Sequence, residues 1–312
     1  MTMMLKSSTG VLSGLLQNKY WLDQFNHPRD TITGITVSSY CLGAFFGCVL
    51  NFFIGDRLGR RKMIWLAMGL IIVGATLQTS AFTLAHLIVG RVITGLGTGI
   101  DSSTVPMYQS ELVKREWRGR VVSWEIWFIG IGIVLAYWVD YGFSYVESHA
   151  AWRTPIAIQL IFAIIVVFLV FGIPESPRWL AKRGGEQEAR DVFCAVFDLP
   201  PDDPYIEGEM AAIKAAIAID AEQKSVFKLF KKDLLQTRWR VLLAWFGLFM
   251  NQWSGINLVV YYMPSVLVEN VGMEPQTAIL VAGFVNLMFP IGNTIPALFV
   301  SSNGGETLVT GS

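Results

Sequence analysis

Long apolar runs separated by short charged connections dominate the 312 residues of this chain. Thr33–Ile54, Met63–Leu84, Thr154–Pro174, Val241–Val268 and Pro275–Ser302 contain no Asp, Glu, Lys or Arg. A helix needs about 20 mostly apolar residues to cross the hydrocarbon core of a bilayer, so each run predicts a span. Leu87–Tyr108 and Val121–Val139 are also long enough to cross, but carry Arg91 and Asp101 in the first and Glu125 in the second. The pattern predicts an all-α integral membrane protein with about seven transmembrane helices.

The connections alternate in charge. Arg57, Arg60, Arg61 and Lys62 crowd one of them, Lys114, Arg115, Arg118 and Arg120 a second, and Arg178, Lys182, Arg183 and Arg190 a third. The connections near His86, around Asp140–Trp152 and around Glu269–Glu274 are poor in such residues. Lys and Arg in short loops mark the cytoplasmic side, which places the stretch DRLGRRK at 56–62 inside the cell. Residues 17–31 then lie outside, and Val11–Leu16 reads as the end of an earlier span.

Between Pro174 and Arg240 the character changes to EQEAR, PPDDPY and EMAAIKAAIAIDAEQK, a mixed-charge, alanine-rich composition that favours helix. The expected organisation is a membrane half over 1–174, a cytoplasmic helical linker over 175–238, two further spans over 239–302, and a polar tail, 303–312, without periodicity.

Composition agrees with the pattern. Hydrophobic residues make up 53% and charged residues 15%, against roughly a quarter charged in a soluble domain, and the mean hydropathy is +0.48. The formal net charge is zero, which removes any electrostatic case for a nucleic-acid partner. Cys41, Cys48 and Cys194 show no paired or metal-ligand spacing, and His27, His86 and His149 lie far apart. No nucleophile–base arrangement or phosphate-cradling loop appears. An enzyme, a bound metal and a cofactor are therefore not expected. The opening MTMMLKSSTGVLSGLL is too briefly apolar for a span and lacks a convincing signal-peptide cleavage site.

Several stretches then match a known pattern: DRLGRR at 56–61, GRVITGLGTG at 90–99, PMYQSE at 106–111, RGR at 118–120, PESPRWL at 174–180 and NQWSGINLVVYY at 251–262. In this order, relative to the spans, the chain resembles a sugar porter of the major facilitator superfamily, closest to fungal hexose and polyol carriers. Members have two six-helix halves. The resemblance implies a first half lacking most of its first helix, then the linker and two helices of the second half. A second charged turn, which the family places after its eighth helix, is replaced here by FVSSNGGE.

Function follows as expectation: transmembrane movement of a sugar or polyol by alternating access, with protons as driver in the full-length form, in the plasma membrane. A porter-like protein that binds sugar without moving it is the rival reading. Gly55 and Gly59 permit a tight turn, from which Arg57, Arg60 and Arg61 can donate paired hydrogen bonds to Glu111 and Glu175. By resemblance Asp56, Arg118 and Arg178 complete a cytoplasmic gate; the alternative is that these charges only set topology. Asn251, Gln252 and Asn257 are the sugar-binding residues the resemblance nominates, since amides both donate to and accept from hydroxyls. Ser254–Gly255 is where that helix is expected to loosen.

Tyr261 and Tyr262 resemble an aromatic gate, or serve as interfacial anchors. Asn286 is a weaker polar candidate that interhelical packing explains as well. Glu125 is read as a substitute ligand or proton site, or as a charge serving the gate. The resemblance assigns Arg91 to coupling, paired with a first-helix carboxylate that this chain lacks. Arg91 is otherwise expected to snorkel toward the interface, and Asp101 to sit near the opposite leaflet's water.

Overall fold

The computed structural model describes residues 18–114, 117–222 and 237–299. Among them the chain forms twelve helices and no strand: α1 Lys19–Gln24, α2 Asp30–Leu58, α3 Arg60–Thr79, α4 Leu84–Leu112, α5 Arg118–Phe143, α6 Ala150–Phe171, α7 Pro177–Lys182, α8 Glu186–Phe197, α9 Pro204–Glu222, α10 Thr237–Trp253, α11 Ile256–Val271 and α12 Pro275–Phe299. The chain divides into two compact units, Met1–Pro174 with Val260–Ser312, and Glu175–Val259. The boundary therefore falls inside α11.

In the first unit α2, α3, α5, α6 and Pro275–Ile295 of α12 are each long and apolar enough to cross a membrane. α4, at 29 residues, is as long as α2 and lies between α2 and α3, packed closely against both. Glycine makes this approach possible. A Cβ on Gly95 or Gly99 would run into the Tyr40 or Ala44 carbonyl of α2, and one on Gly97 would meet the Ala67 carbonyl and Ile71 of α3. Without side chains on that stripe, backbones meet and the apolar residues flanking it interlock. Met63, Ala67, Met68 and Ile71 of α3 bury themselves with Ile100, Val105 and Tyr108 of α4 and Val166 and Val170 of α6. On the other side α5 packs on α12, where Gly130 admits Phe289 and Pro290.

One run differs from its sequence expectation, and a second divides where the sequence expects it to loosen. Met63–Leu84 does not form one helix: α3 stops at Thr79, and the Thr83 hydroxyl accepts from the His86 amide at 3.3 Å to start α4. A hydroxyl that caps an orphan N–H outweighs apolar continuity at that point. Val241–Val268 is divided at Ser254–Gly255, with Gly255 at φ +80°, where a residue without Cβ adopts the left-handed conformation at no steric cost.

The second unit contains a small helical cluster. Ser176 caps α7 through a hydrogen bond from the Trp179 amide, 3.3 Å, with Pro177 in the first turn. Ala189 and Phe193 of α8 pack against Ile206 and Met210 of α9. Residues 10–16, which the sequence reads as the end of an earlier helix, and the tail 303–312 lie outside the described residues.

Candidate functional site

The basic turn is built by one residue. Gly59, at φ +91° and ψ 166°, ends α2 and begins α3, so the charges of both helix ends are held together. Arg60 is 9% exposed and its guanidinium is fully engaged. Nε donates to Glu111 Oε2 at 3.2 Å, Nη2 to Glu111 Oε1 at 3.1 Å, and Nη1 to Asp56 Oδ1 at 3.0 Å. The paired bonds to Glu111 use the planar fork that only Arg offers. They tie the start of α3 to the end of α4. Arg61 donates to the Phe171 carbonyl at the end of α6, 2.8 Å, and its cation lies 5.9 Å from the Trp65 ring. Arg118, at the start of α5, donates to the Val113 carbonyl at 3.3 Å.

A cavity of about 330 Å³ opens beside this knot, lined by Asn51, Asp56, Arg60, Ser103 and Met107 among others. Asn51 bridges α2 to α4 there: its amide donates to Ser103 at 2.8 Å and accepts from Thr104 at 3.2 Å. Glu175 and Arg178 belong to the second unit, where a Glu175 carboxylate oxygen accepts from the Ser176 amide, 3.0 Å.

Deeper in the first unit, Arg91 corrects the sequence expectation. It does not snorkel: it is 1% exposed. Nε donates to the Thr36 carbonyl at 2.8 Å and Nη2 to the Val37 carbonyl at 3.3 Å, and its cation lies 5.5 Å from the Tyr40 ring. The glycine-permitted approach of α4 to α2 brings these carbonyls within reach. Asp101 is a second correction. It sits in no water layer but is 0% exposed, enclosed where α4 packs against its neighbours.

The residues nominated for substrate fall in both units. Tyr261 is buried, with its hydroxyl 3.8 Å from Cys41 Sγ on α2, and Tyr262 packs against the same cluster of Trp21, Val37 and Trp152. Tyr261 and Tyr262 both lie within electrostatic reach of Arg91. The preceding turn is held to α5 by Tyr137, whose hydroxyl donates to the Val260 carbonyl at 2.6 Å. Asn286 is buried and donates to the Ala282 carbonyl of its own helix, 2.8 Å. Glu125 is buried two turns into α5. Asn251 and Gln252 are exposed on α10, in the second unit; the Asn257 side chain lies outside the described residues.

Sequence reasoning missed Tyr137, because its partner is a backbone carbonyl that no residue pattern advertises. It also treated Asp140 as a loop residue. Asp140 is buried at the end of α5 and lines a cavity of about 240 Å³ with Lys19, Glu147, Glu274 and Gln276. The signal available was its helical register with Glu125 and Tyr137, fifteen and three residues earlier.

A bundle of long helices, five of them long and apolar enough to cross a membrane and tied together by the buried Arg60 and Arg91, is the architecture of an integral membrane protein. The sequence profile of the family described as "Sugar (and other) transporter" matches residues 4–307, and the chain belongs to that family, one of carriers rather than enzymes. It is 35% identical over 310 residues to the MFS-type transporter oryC of Aspergillus oryzae, covering 96% of this chain and 57% of that protein. To the sugar transporter STL1 of Saccharomyces cerevisiae it is 32% identical over 311 residues, covering 95% of this chain and 54% of the relative. The chain thus spans about half the length of the curated relatives it matches. Its fold superposes on the proton:xylose symporter XylE bound to 6-bromo-6-deoxy-D-glucose with a TM-score of 0.84 and 23% identity, covering 98% of this chain and 68% of that structure.

Proposed function

We propose that this chain is part of a plasma-membrane carrier that moves a sugar or polyol by alternating access, coupled to protons. The observation that carries the reading is membership of the sugar transporter family over residues 4–307. STL1 is named a sugar transporter and XylE a proton:xylose symporter, and both chemistries are carried to this chain here as proposal. The working parts are assigned on that basis. Residues 1–174 form the first membrane half, 175–238 a cytoplasmic linker and 239–302 the start of the second half, with 303–312 a tail.

Asp56, Arg57, Arg60, Arg61, Glu111 and Arg118, with Glu175 and Arg178 of the second unit, form the cytoplasmic gate. The Arg60–Glu111 pair supports this, since with Asp56 it gathers the charged ends of α2, α3 and α4 at one place. Asn251, Gln252, Asn257, Tyr261, Tyr262, Asn286 and Glu125 serve the substrate, and Arg91 serves coupling. The test is uptake of labelled hexoses, pentoses and polyols into yeast cells lacking their own carriers, with the full reading frame expressed and the external pH varied. Saturable uptake that rises on acidification supports the proposal. Uptake no greater than in the empty strain, from protein shown to reach the membrane, overturns it.

A further inference from the structure

Asp101 is a buried polar group that the transport reading leaves unused, and its surroundings are unusual. It lies in the middle of α4, 0% exposed, and neither carboxyl oxygen has a hydrogen-bond partner. The hydroxyls near it on α4 are engaged by their own helix. Thr98 donates to the Thr94 carbonyl at 2.9 Å, and Thr104 to the Ile100 carbonyl at 2.7 Å. The hydroxyls flanking Asp101 therefore spend their protons on the helix and offer it none.

Among the described residues, no charged side chain pairs with it. Arg91 is on the same helix, ten residues away, about 15 Å along the axis, and is occupied by the Thr36 and Val37 carbonyls. Arg60 of α3 is occupied by Glu111 and Asp56. At the level of Asp101, α3 presents Ala67 and Ile71, and α2 presents Ala44, to the glycine stripe of α4. From α5 comes Glu125, buried, and the one side chain among the described residues with which Asp101 interacts electrostatically. It is a second carboxyl, not a cation. An ionised carboxylate taken out of water without a cation or donor is strongly disfavoured, and neutralises instead. Two carboxyls close enough to interact in a low-dielectric site resist carrying two charges at once, so ionisation of one disfavours ionisation of the other.

We propose that Asp101 is a proton-binding site in the core of the first unit, held as the neutral acid in the arrangement seen here and coupled to Glu125. Its ligand is a proton, delivered from and returned to water when the packing of α4 against α5 opens. Its use in driving substrate rests on the proposed carrier function; the protonation itself does not.

Infrared spectroscopy of the full chain in lipid nanodiscs reads the protonation directly, through the carbonyl stretch of a neutral carboxylic acid. At neutral pH the unmodified protein is expected to show that band, and Asp101→Asn to lose it. Aspartate labelled with carbon-13 in the unmodified chain moves the band if it belongs to an aspartic acid, so the test survives a variant that fails to fold. Glu125→Gln is expected to shift the pH midpoint at which the band disappears. A band that persists in Asp101→Asn, a band that is absent or insensitive to the aspartate label in the unmodified chain, or a midpoint unmoved by Glu125→Gln overturns the inference. Sugar uptake is not the readout: a chain that moves no sugar and shows the band refutes the carrier reading alone, and one that moves sugar without it refutes this inference alone.

Discussion

Arg60 and Arg91 are both buried arginines in the first unit, 9% and 1% exposed, and are held by opposite means. Arg60 is neutralised by the carboxylates of Glu111 and Asp56. Arg91 is held by two backbone carbonyls and an aromatic face, with no carboxylate ion pair among the described residues. The difference teaches that, among the described residues, a buried guanidinium is held in two ways: by carboxylates at a helix end, and by carbonyl dipoles where two helices approach closely. It also predicts what each residue leaves behind when removed. Without Arg60, Glu111, whose side chain is 7% exposed, loses both hydrogen bonds of the guanidinium fork and the charge that faces it. Without Arg91, the Thr36 and Val37 carbonyls keep their places in the hydrogen-bond ladder of α2, and the Thr36 carbonyl still accepts from Ser39 at 2.7 Å.

The comparison is most sharply tested by Arg60→Met, which is expected to lower stability by about 3–5 kcal/mol, the usual cost of breaking a buried ion pair from one side. Loss of the folded fraction on detergent size exclusion after graded heating measures it. A fall no larger than that of a surface variant would show that Glu111 finds water. Arg91→Met is expected to cost less, about 1 kcal/mol, because it removes a charge without orphaning another. The same heating series checks this, and a loss equal to that of Arg60→Met would end the distinction. The smallest effect belongs to Asp56→Asn. The Asp56 side chain is 59% exposed, so solvent screens its bond to Arg60 and the expected change is below about 1 kcal/mol; a larger one would make Asp56 an equal partner of Glu111.

The membrane spans were legible because charge-free runs of the right length admit few other structures, and the alternation of Arg and Lys ordered them. The Arg60–Glu111 pair was legible for a related reason: both sit at ends of spans on the same side. Where the partner is backbone, sequence falls silent. Nothing in the residues around Thr36 and Val37 announces that their carbonyls receive Arg91, since every residue has a carbonyl and only the depth of the α2–α4 approach selects these two. The glycines at 95 and 99 permit that depth but are equally consistent with simple packing. Thr83 was hidden inside an apolar run, its capping hydroxyl looking like one more neutral residue. Asp101 defeated the reading differently, because helix length alone suggested water near it, while the packing of the helices leaves it 0% exposed.

The single residue between α2 and α3 has a mechanical meaning as well. Gly59 donates back to the Gly55 carbonyl at 3.1 Å and its own carbonyl accepts from Met63 at 3.2 Å, so one helix's last bond and the next helix's first are anchored on the same residue. No slack chain separates two rods of 29 and 20 residues. Such a joint works as an elbow: a tilt of α2 is transmitted to α3 with little lost in between, and its freedom of movement is set by one pair of dihedral angles in a region that only glycine occupies readily.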